Sequence, residues 1–204
     1  LNSYLSGGTK DIIAGSMVTE PLARFDTEGN IVPTLVTEIP SRENGGIAAD
    51  GKSITWTILP DLLWSDGTPV TADDVVFTAQ YCMDPAGGCA QASKFASVAS
   101  VEAVDPKTVR ITFKDVQPNP FTAFVGTQSP VFQKAQFQNC LGAAAANCVE
   151  QNSMPIGTGP FRVTGFTVND TVTMEANPNY RDPAKPAFAT AVIKGGGDAV
   201  ASAR

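Results

Sequence analysis

The sequence predicts a mixed α/β (α+β) fold, and three observations carry the prediction. Apolar residues alternate at period two in short stretches near both ends of the chain, a capped run of helical period follows the first long one, and Gly, Asn and Asp turn signals separate them. Taken in order, Ser6-Gly7-Gly8-Thr9 forms an opening loop, and 12–18 predicts a short helix with Thr9 or Asp11 as its cap. Glu28-Gly29 turns between two extended pieces, 22–26 and 30–35. Asn44-Gly45-Gly46 breaks the pattern, and a compact α+β unit begins at Ile47 and runs to Gln151.

Within that unit Ile54, Trp56 and Ile58 share one face of a strand over 53–58, which makes Trp56 a core residue rather than a stacking platform. Asp66-Gly67 supplies a turn in which glycine takes positive φ, and Pro69 keeps the chain extended. Thr71 then caps a helix whose first turn holds Asp73 and Asp74, where the helix dipole favours negative charge. Val75, Val76, Ala79 and Cys82 follow at helical spacing. A second strand spans 108–113 with Val109, Ile111 and Phe113 inward, and helices are expected over 121–132 and 133–146. Strands over 161–168 and 171–176 join at Asn169-Asp170, a further strand covers 189–194, and Asp198 is placed to cap a helix beyond it.

Composition bounds the function. With 43% hydrophobic and 17% charged residues in 204, the chain can bury a substantial core. A net charge of −6, with Lys and Arg scattered singly, argues against nucleic acid. No stretch approaches the ~20 apolar residues of a membrane helix. The chain opens on Leu1, which allows for a leader removed earlier. Four cysteines fall in two close pairs, Cys82 with Cys89 and Cys140 with Cys148. Local disulfides are the first reading and imply an oxidising compartment; free buried thiols and a four-thiolate zinc site remain alternatives, although structural zinc favours tighter spacing.

Catalytic constellations are sparse. The chain has no histidine, which excludes a Ser-His-Asp or Cys-His arrangement. Asp73 and Asp74 project about 100° apart on a helix and so share no face. Gly157-Thr158-Gly159 and Gly195-Gly196-Gly197-Asp198 lack the Gly-Lys-Ser/Thr ending of a phosphate loop. No metal site and no cofactor is expected. A secreted hydrolase using Lys or carboxylate chemistry, and a sensor or adhesion module, stand as alternatives to transport.

The order of motifs points to a family. An Asp50-Gly51 turn, an alternating strand, Trp64-Ser65-Asp66-Gly67 and Thr71-Ala72-Asp73-Asp74-Val75 resemble the peptide-type (family 5) solute-binding proteins of ABC importers. Thr19-Glu20-Pro21-Leu22, Val32-Pro33-Thr34-Leu35, Ile156-Gly157-Thr158-Gly159-Pro160-Phe161 and Asn177-Pro178-Asn179-Tyr180-Arg181 extend the resemblance along most of the chain. The resemblance implies an amino-terminal portion of a periplasmic-binding-protein-like lobe: 1–40 with 157–204 as a discontinuous part of lobe I, and 41–156 as an inserted α+β subdomain. The second lobe is expected outside these residues. Gly157-Thr158-Gly159-Pro160 would then mark the chain's return to the main lobe.

By the same resemblance Ser6, Gly7, Gly8, Thr9 and Asp11 face a ligand cleft, where glycines let a ligand approach the backbone. Glu20 is a weaker candidate for a ligand ammonium, a solvated surface carboxylate being the simpler reading. The implied partners are a peptide or other small solute and the membrane permease subunits of an ABC importer, and the implied location is periplasmic or otherwise extracytoplasmic.

Overall fold

A computed structural model describes residues 1–195 and shows a mixed α/β chain with three antiparallel sheets. The opening helix α1 (Thr9–Gly15) starts three residues earlier than the periodicity indicates, and Gly8, rather than Thr9 or Asp11, takes its cap position. A hairpin follows, β1 (Ala23–Phe25) and β2 (Ile31–Pro33), with Ala23 opposite Pro33 and Phe25 opposite Ile31. Its turn needs the positive φ of Gly29, at 86°.

The middle segment builds one sheet in the order β3 (Ser53–Thr57), β5 (Thr108–Phe113), β4 (Val98–Asp105), with α2 (Ala72–Met83) packed against it. The alternation does what period two requires: Ile54, Trp56, Val109, Ile111 and Phe113 are all buried. Thr71 and Asp74 form a capping box at the start of α2, with the Asp74 carboxylate accepting from the Thr71 N–H at 2.9 Å.

The stretch over 121–132 is not helical. Pro130 and the positive φ of Phe124 and Gly126 hold it in turns, and Val125 instead forms a parallel bridge with Ala23. The expected helix over 133–146 is divided in the same way. A short α3 (Lys134–Phe137) stops before Cys140, Gly142 takes φ 56°, and a 3₁₀ turn over Gly142–Asn147 leads into α4 (Val149–Ser153).

The last sheet runs β6 (Phe161–Phe166), β7 (Thr171–Ala176), β8 (Thr190–Lys194), and Asn169 takes the left-handed conformation in the β6–β7 turn. The sequence places Asp198 at a helix start, and that position lies outside the described residues.

Among the described residues two apolar clusters hold the chain together. The larger joins Tyr4, Leu22 and Leu35 from the opening segment to the sheet and helix of the middle one. The smaller packs Ala14 and Val18 against Phe161 and Met174, so α1 sits on the β6–β7–β8 sheet. Gly157 and Gly159 make the join close. A Cβ on Gly157 would lie only 1.8 Å from the Val18 carbonyl oxygen, and Gly159 N donates to that oxygen at 2.8 Å.

Candidate functional site

The opening loop is anchored from below. Tyr4 is fully buried, its hydroxyl donates to the Pro130 carbonyl at 2.7 Å, and its ring packs edge-on against Phe95 and Phe132. Burial, with a smaller contribution from Tyr81, pushes the Tyr4 phenol well above its ordinary pKa, so it stays a neutral donor. Asn2 folds the chain over this anchor, accepting from Tyr4 N and donating to the Tyr81 hydroxyl at 3.0 Å.

From there the chain rises to the surface. The Ser6 hydroxyl donates to Asp11 Oδ2 at 2.5 Å and accepts from Gly8 N at 3.2 Å, which closes the loop on the first turn of α1. Gly8 is confined, since an added Cβ would meet Asp11 Oδ2 at 3.1 Å and Ser6 Oγ at 3.3 Å. Gly7 is exposed, and nothing lies within 4 Å of where its Cβ would be. Thr9 opens α1. The structure therefore brings Ser6, Gly7, Gly8, Thr9 and Asp11 into one short surface turn with an open backbone face at Gly7.

Glu20 sits elsewhere and does something different. It is only 8% exposed, which corrects the reading as a solvated surface carboxylate. Arg181 grips both its oxygens, Nη1 to Oε2 at 2.6 Å and Nη2 to Oε1 at 2.9 Å, and the Thr158 hydroxyl donates to Oε2 at 3.0 Å. Burial works against the Arg181 charge, but the hydrogen bonds and charge of Glu20 outweigh it and leave the guanidinium pKa raised. Sequence reasoning missed Thr158 and Arg181, although both stand inside motifs it had singled out.

Those motifs converge in space. Ser65 N donates to the Gly157 carbonyl at 2.9 Å, and Asn179 Nδ2 to the Ser65 carbonyl at 3.2 Å. Asn177 Nδ2 donates to the Gly159 carbonyl at 2.8 Å. The Trp64-Ser65-Asp66-Gly67 loop, the 157–160 crossover and the 177–181 turn thus form one junction around Glu20. The sequence profile of the bacterial extracellular solute-binding proteins, family 5 Middle, matches residues 30–204. The chain belongs to this family.

Relatives agree with the assignment. A Brucella ovis protein named for peptide binding in an ABC transporter is 32% identical over 163 residues, 79% of this chain and 29% of that protein. Protein XP55 of Streptomyces lividans is 30% identical over 93% of this chain and 33% of its own length. The chain therefore spans about a third of the curated relatives it matches. Among solved structures, the binding protein MoaA from Agrobacterium tumefaciens R10, in complex with mannopinic acid, superposes with TM-score 0.82 at 26% identity, covering 98% of this chain and 39% of that one.

Other sequence-singled residues of this family 5 chain have structural roles. Cys82 pairs with Cys89 and Cys140 with Cys148, with Cα atoms 5.1 and 5.9 Å apart. Asp73 is exposed and lies 3.6 Å from Lys134 Nζ, while Asp74 is buried in the helix cap, so the two carboxylates do not converge. Trp64 is buried and donates to Asp74 Oδ2 at 3.4 Å, covering the turn it leads into. Among the described residues no group of three or more His, Cys, Asp or Glu side chains could hold a metal ion, and no helix is long and apolar enough to cross a membrane.

Proposed function

We propose that this family 5 chain supplies the ligand-facing loop and supporting body of an extracytoplasmic receptor, which captures peptides or similar small solutes and hands them to the permease of an ABC importer. It binds its solute and catalyses no reaction on it. The observation that carries the reading is the turn at 6–11, an exposed glycine backbone at Gly7 held in place by the Ser6–Asp11 hydrogen bond. Such a turn offers main-chain groups to an extended ligand without a side chain in the way. Membership of the family and the peptide-binding name of the Brucella relative support the solute class.

The lobe division follows from the same reading: 1–40 with 157–204 form part of one lobe and 41–156 the subdomain inserted into it. The Tyr4 to Leu35 side chains act as the seam, because they share the larger apolar cluster with the middle segment. Glu20 serves this junction and leaves solute contacts to Ser6, Gly7, Gly8, Thr9 and Asp11. Closure over solute is a two-state motion driven by contacts that both lobes make, so the 204 residues alone bind weakly.

Calorimetry with short peptides tests this on the chain joined to the remainder of its polypeptide. Saturable binding is expected, and Gly7→Val should weaken it by about tenfold or more at unchanged melting temperature, since the new side chain meets only the ligand. Unchanged affinity in Gly7→Val, cleavage of the peptide seen by mass spectrometry, or micromolar binding by the 204 residues alone would each defeat the reading.

A further inference from the structure

A groove of about 390 Å³ opens between β1 and the 125–128 loop, lined by Arg24, Phe25, Lys94 and that loop. Its charged groups are all of one sign. Among the described residues Arg162, Arg181, Lys134 and Lys185 are ion-paired, whereas Arg24 and Lys94 face no carboxylate within salt-bridge distance. Lys94 is half-buried, and its ammonium donates to Ser129 Oγ at 3.0 Å and reaches the Val125 carbonyl at 3.5 Å. An ammonium has three donors, so one is left over. Burial lowers the Lys94 pKa, and no neighbouring negative charge offsets that cost.

The backbone beside these cations is open as well. Thr34 N donates to the Leu22 carbonyl and Asp26 N to the Asn30 carbonyl, and Pro33 opposite Ala23 has no N–H to give. The alternation of an antiparallel pair then turns the N–H and C=O of Ala23 and Phe25 away from β2. Those of Ala23 are taken, by Phe124 O at 3.4 Å and Gly126 N at 2.9 Å. The next carbonyl on that side, Gly126 O, turns back to Ser129 N at 3.0 Å. The 124–126 segment therefore covers the edge of β1 as far as Ala23 and leaves the Phe25 peptide groups facing the groove. The Phe25 ring, 54% exposed, lines the wall next to Gly126.

We propose that this groove takes the C-terminal carboxylate of an extended peptide, with Arg24 and Lys94 as the counter-charges and the Phe25 edge pairing with the last peptide unit. The assignment rests on the peptide reading above and adds a terminus-specific contact away from the opening loop. Arginine matches a carboxylate with two parallel N–H groups, and an edge strand supplies the main-chain pairing that orients it.

Amide chemical-shift titration of the chain, joined to the remainder of its polypeptide, with acetyl-trialanine as free acid and as C-terminal amide tests it. The free acid should shift Phe25 and residues 126–128 saturably, the amide should bind about tenfold more weakly, and Lys94→Met and Arg24→Gln should each remove that preference. Arg24 is exposed, so Arg24→Gln keeps the test valid if Lys94→Met unfolds. Equal affinity for acid and amide, or shifts confined to other residues, overturns the subsite. Inorganic phosphate binding at these amides as tightly as the peptide acid also overturns it, leaving a simple anion site. Calorimetric peptide binding that ignores terminal amidation and Arg24 removes the subsite alone, whereas absence of any peptide binding by the longer polypeptide removes the proposed function.

Discussion

Glu20 and Arg181 lie 161 positions apart and meet in a two-pronged ion pair with N–O distances of 2.6 and 2.9 Å. The pair ties the end of the opening segment to the turn after β7, and Thr158 adds a third hydrogen bond from the crossover between them. Three distant stretches of chain are thus fixed by one buried carboxylate. Its neighbours Val18 and Gly159 complete the join through main-chain hydrogen bonding.

Removing one partner should be far worse than removing both. Arg181→Met leaves a buried carboxylate with only a hydroxyl donor, a loss of about 3 kcal/mol, and Glu20→Gln leaves a guanidinium without a counter-charge at similar cost. The Glu20→Gln/Arg181→Met double variant should recover part of the loss. Urea unfolding of the three variants checks this; additive losses would mean that the pair contributes no coupling.

Gly157→Ala should be among the most damaging small substitutions in the chain. The new methyl would sit 1.8 Å from a backbone carbonyl, which cannot rotate away as a side chain could. Separating the crossover from Val18 would also stretch the Gly159 hydrogen bond and disturb the Glu20 contacts, so a loss of about 3 kcal/mol is expected. Gly7→Ala, at an open position, should change stability by less than about 0.5 kcal/mol. Thermal melts of the two variants side by side would expose any error in this contrast.

Where local chemistry decides the structure, the sequence was easy to read. Thr108–Phe113 and Thr171–Ala176 are strands with the expected limits, because alternation is bounded there by turn residues on both sides. Val98–Asp105 was missed because it is an edge strand with a largely exposed surface, so its residues carry little inward apolar pattern. The stretch over 121–132 looked helical by content, yet Ala23 offers it a strand edge and Gly126 supplies a bend. The motifs around Glu20 were all visible, but their convergence was not. Contact between residues 20, 158 and 181 is a property of topology, and nothing in a single sequence reports which cation faces which carboxylate.

The two disulfides should act as one unit. Each closes a short loop, with 7 and 8 residues of separation, and constraining the unfolded chain over such loops is worth about 2.5 kcal/mol each in the loop-closure account. The loops also touch: the 3₁₀ turn at Pro85–Gly87 lies against the one at Gly142–Asn147, and Gly142 packs beside Asp84. Replacing Cys82 and Cys89 by Ser loosens a surface that the Cys140–Cys148 loop packs on, and the reverse holds too. Removing both pairs should therefore cost less than the sum of the separate losses, by about 0.5 kcal/mol or more. Denaturant titration of the three serine variants decides it, and strict additivity would refute the coupling.

Asp74 should make stability fall as pH rises through the weakly acid range. Burial raises its pKa, against the hydrogen bonds it accepts from Lys134 N and Thr71 N, both at 2.9 Å, and from Trp64. A carboxyl whose pKa is higher in the folded chain than in the unfolded one keeps its proton longer when folded. Its contribution is complete below the ordinary aspartate value and is lost as pH climbs through the raised one. Asp66 runs the other way. Hydrogen bonds from Gln133 and Thr68 overcome the effect of its partial burial and lower its pKa, so its contribution is present above the ordinary value and fades as pH drops. Carboxyl carbon shifts followed by NMR should show Asp74 titrating above and Asp66 below a typical aspartate. The unfolding free energy of the parent chain minus that of Asp74→Asn should fall as pH rises through about 3 to 6, because the subtraction removes the opposite contributions of Asp66 and other carboxyls with lowered pKa, Asp26, Glu43 and Asp105. A difference that stays flat or rises with pH would mean that burial at the start of α2 does not hold the Asp74 proton.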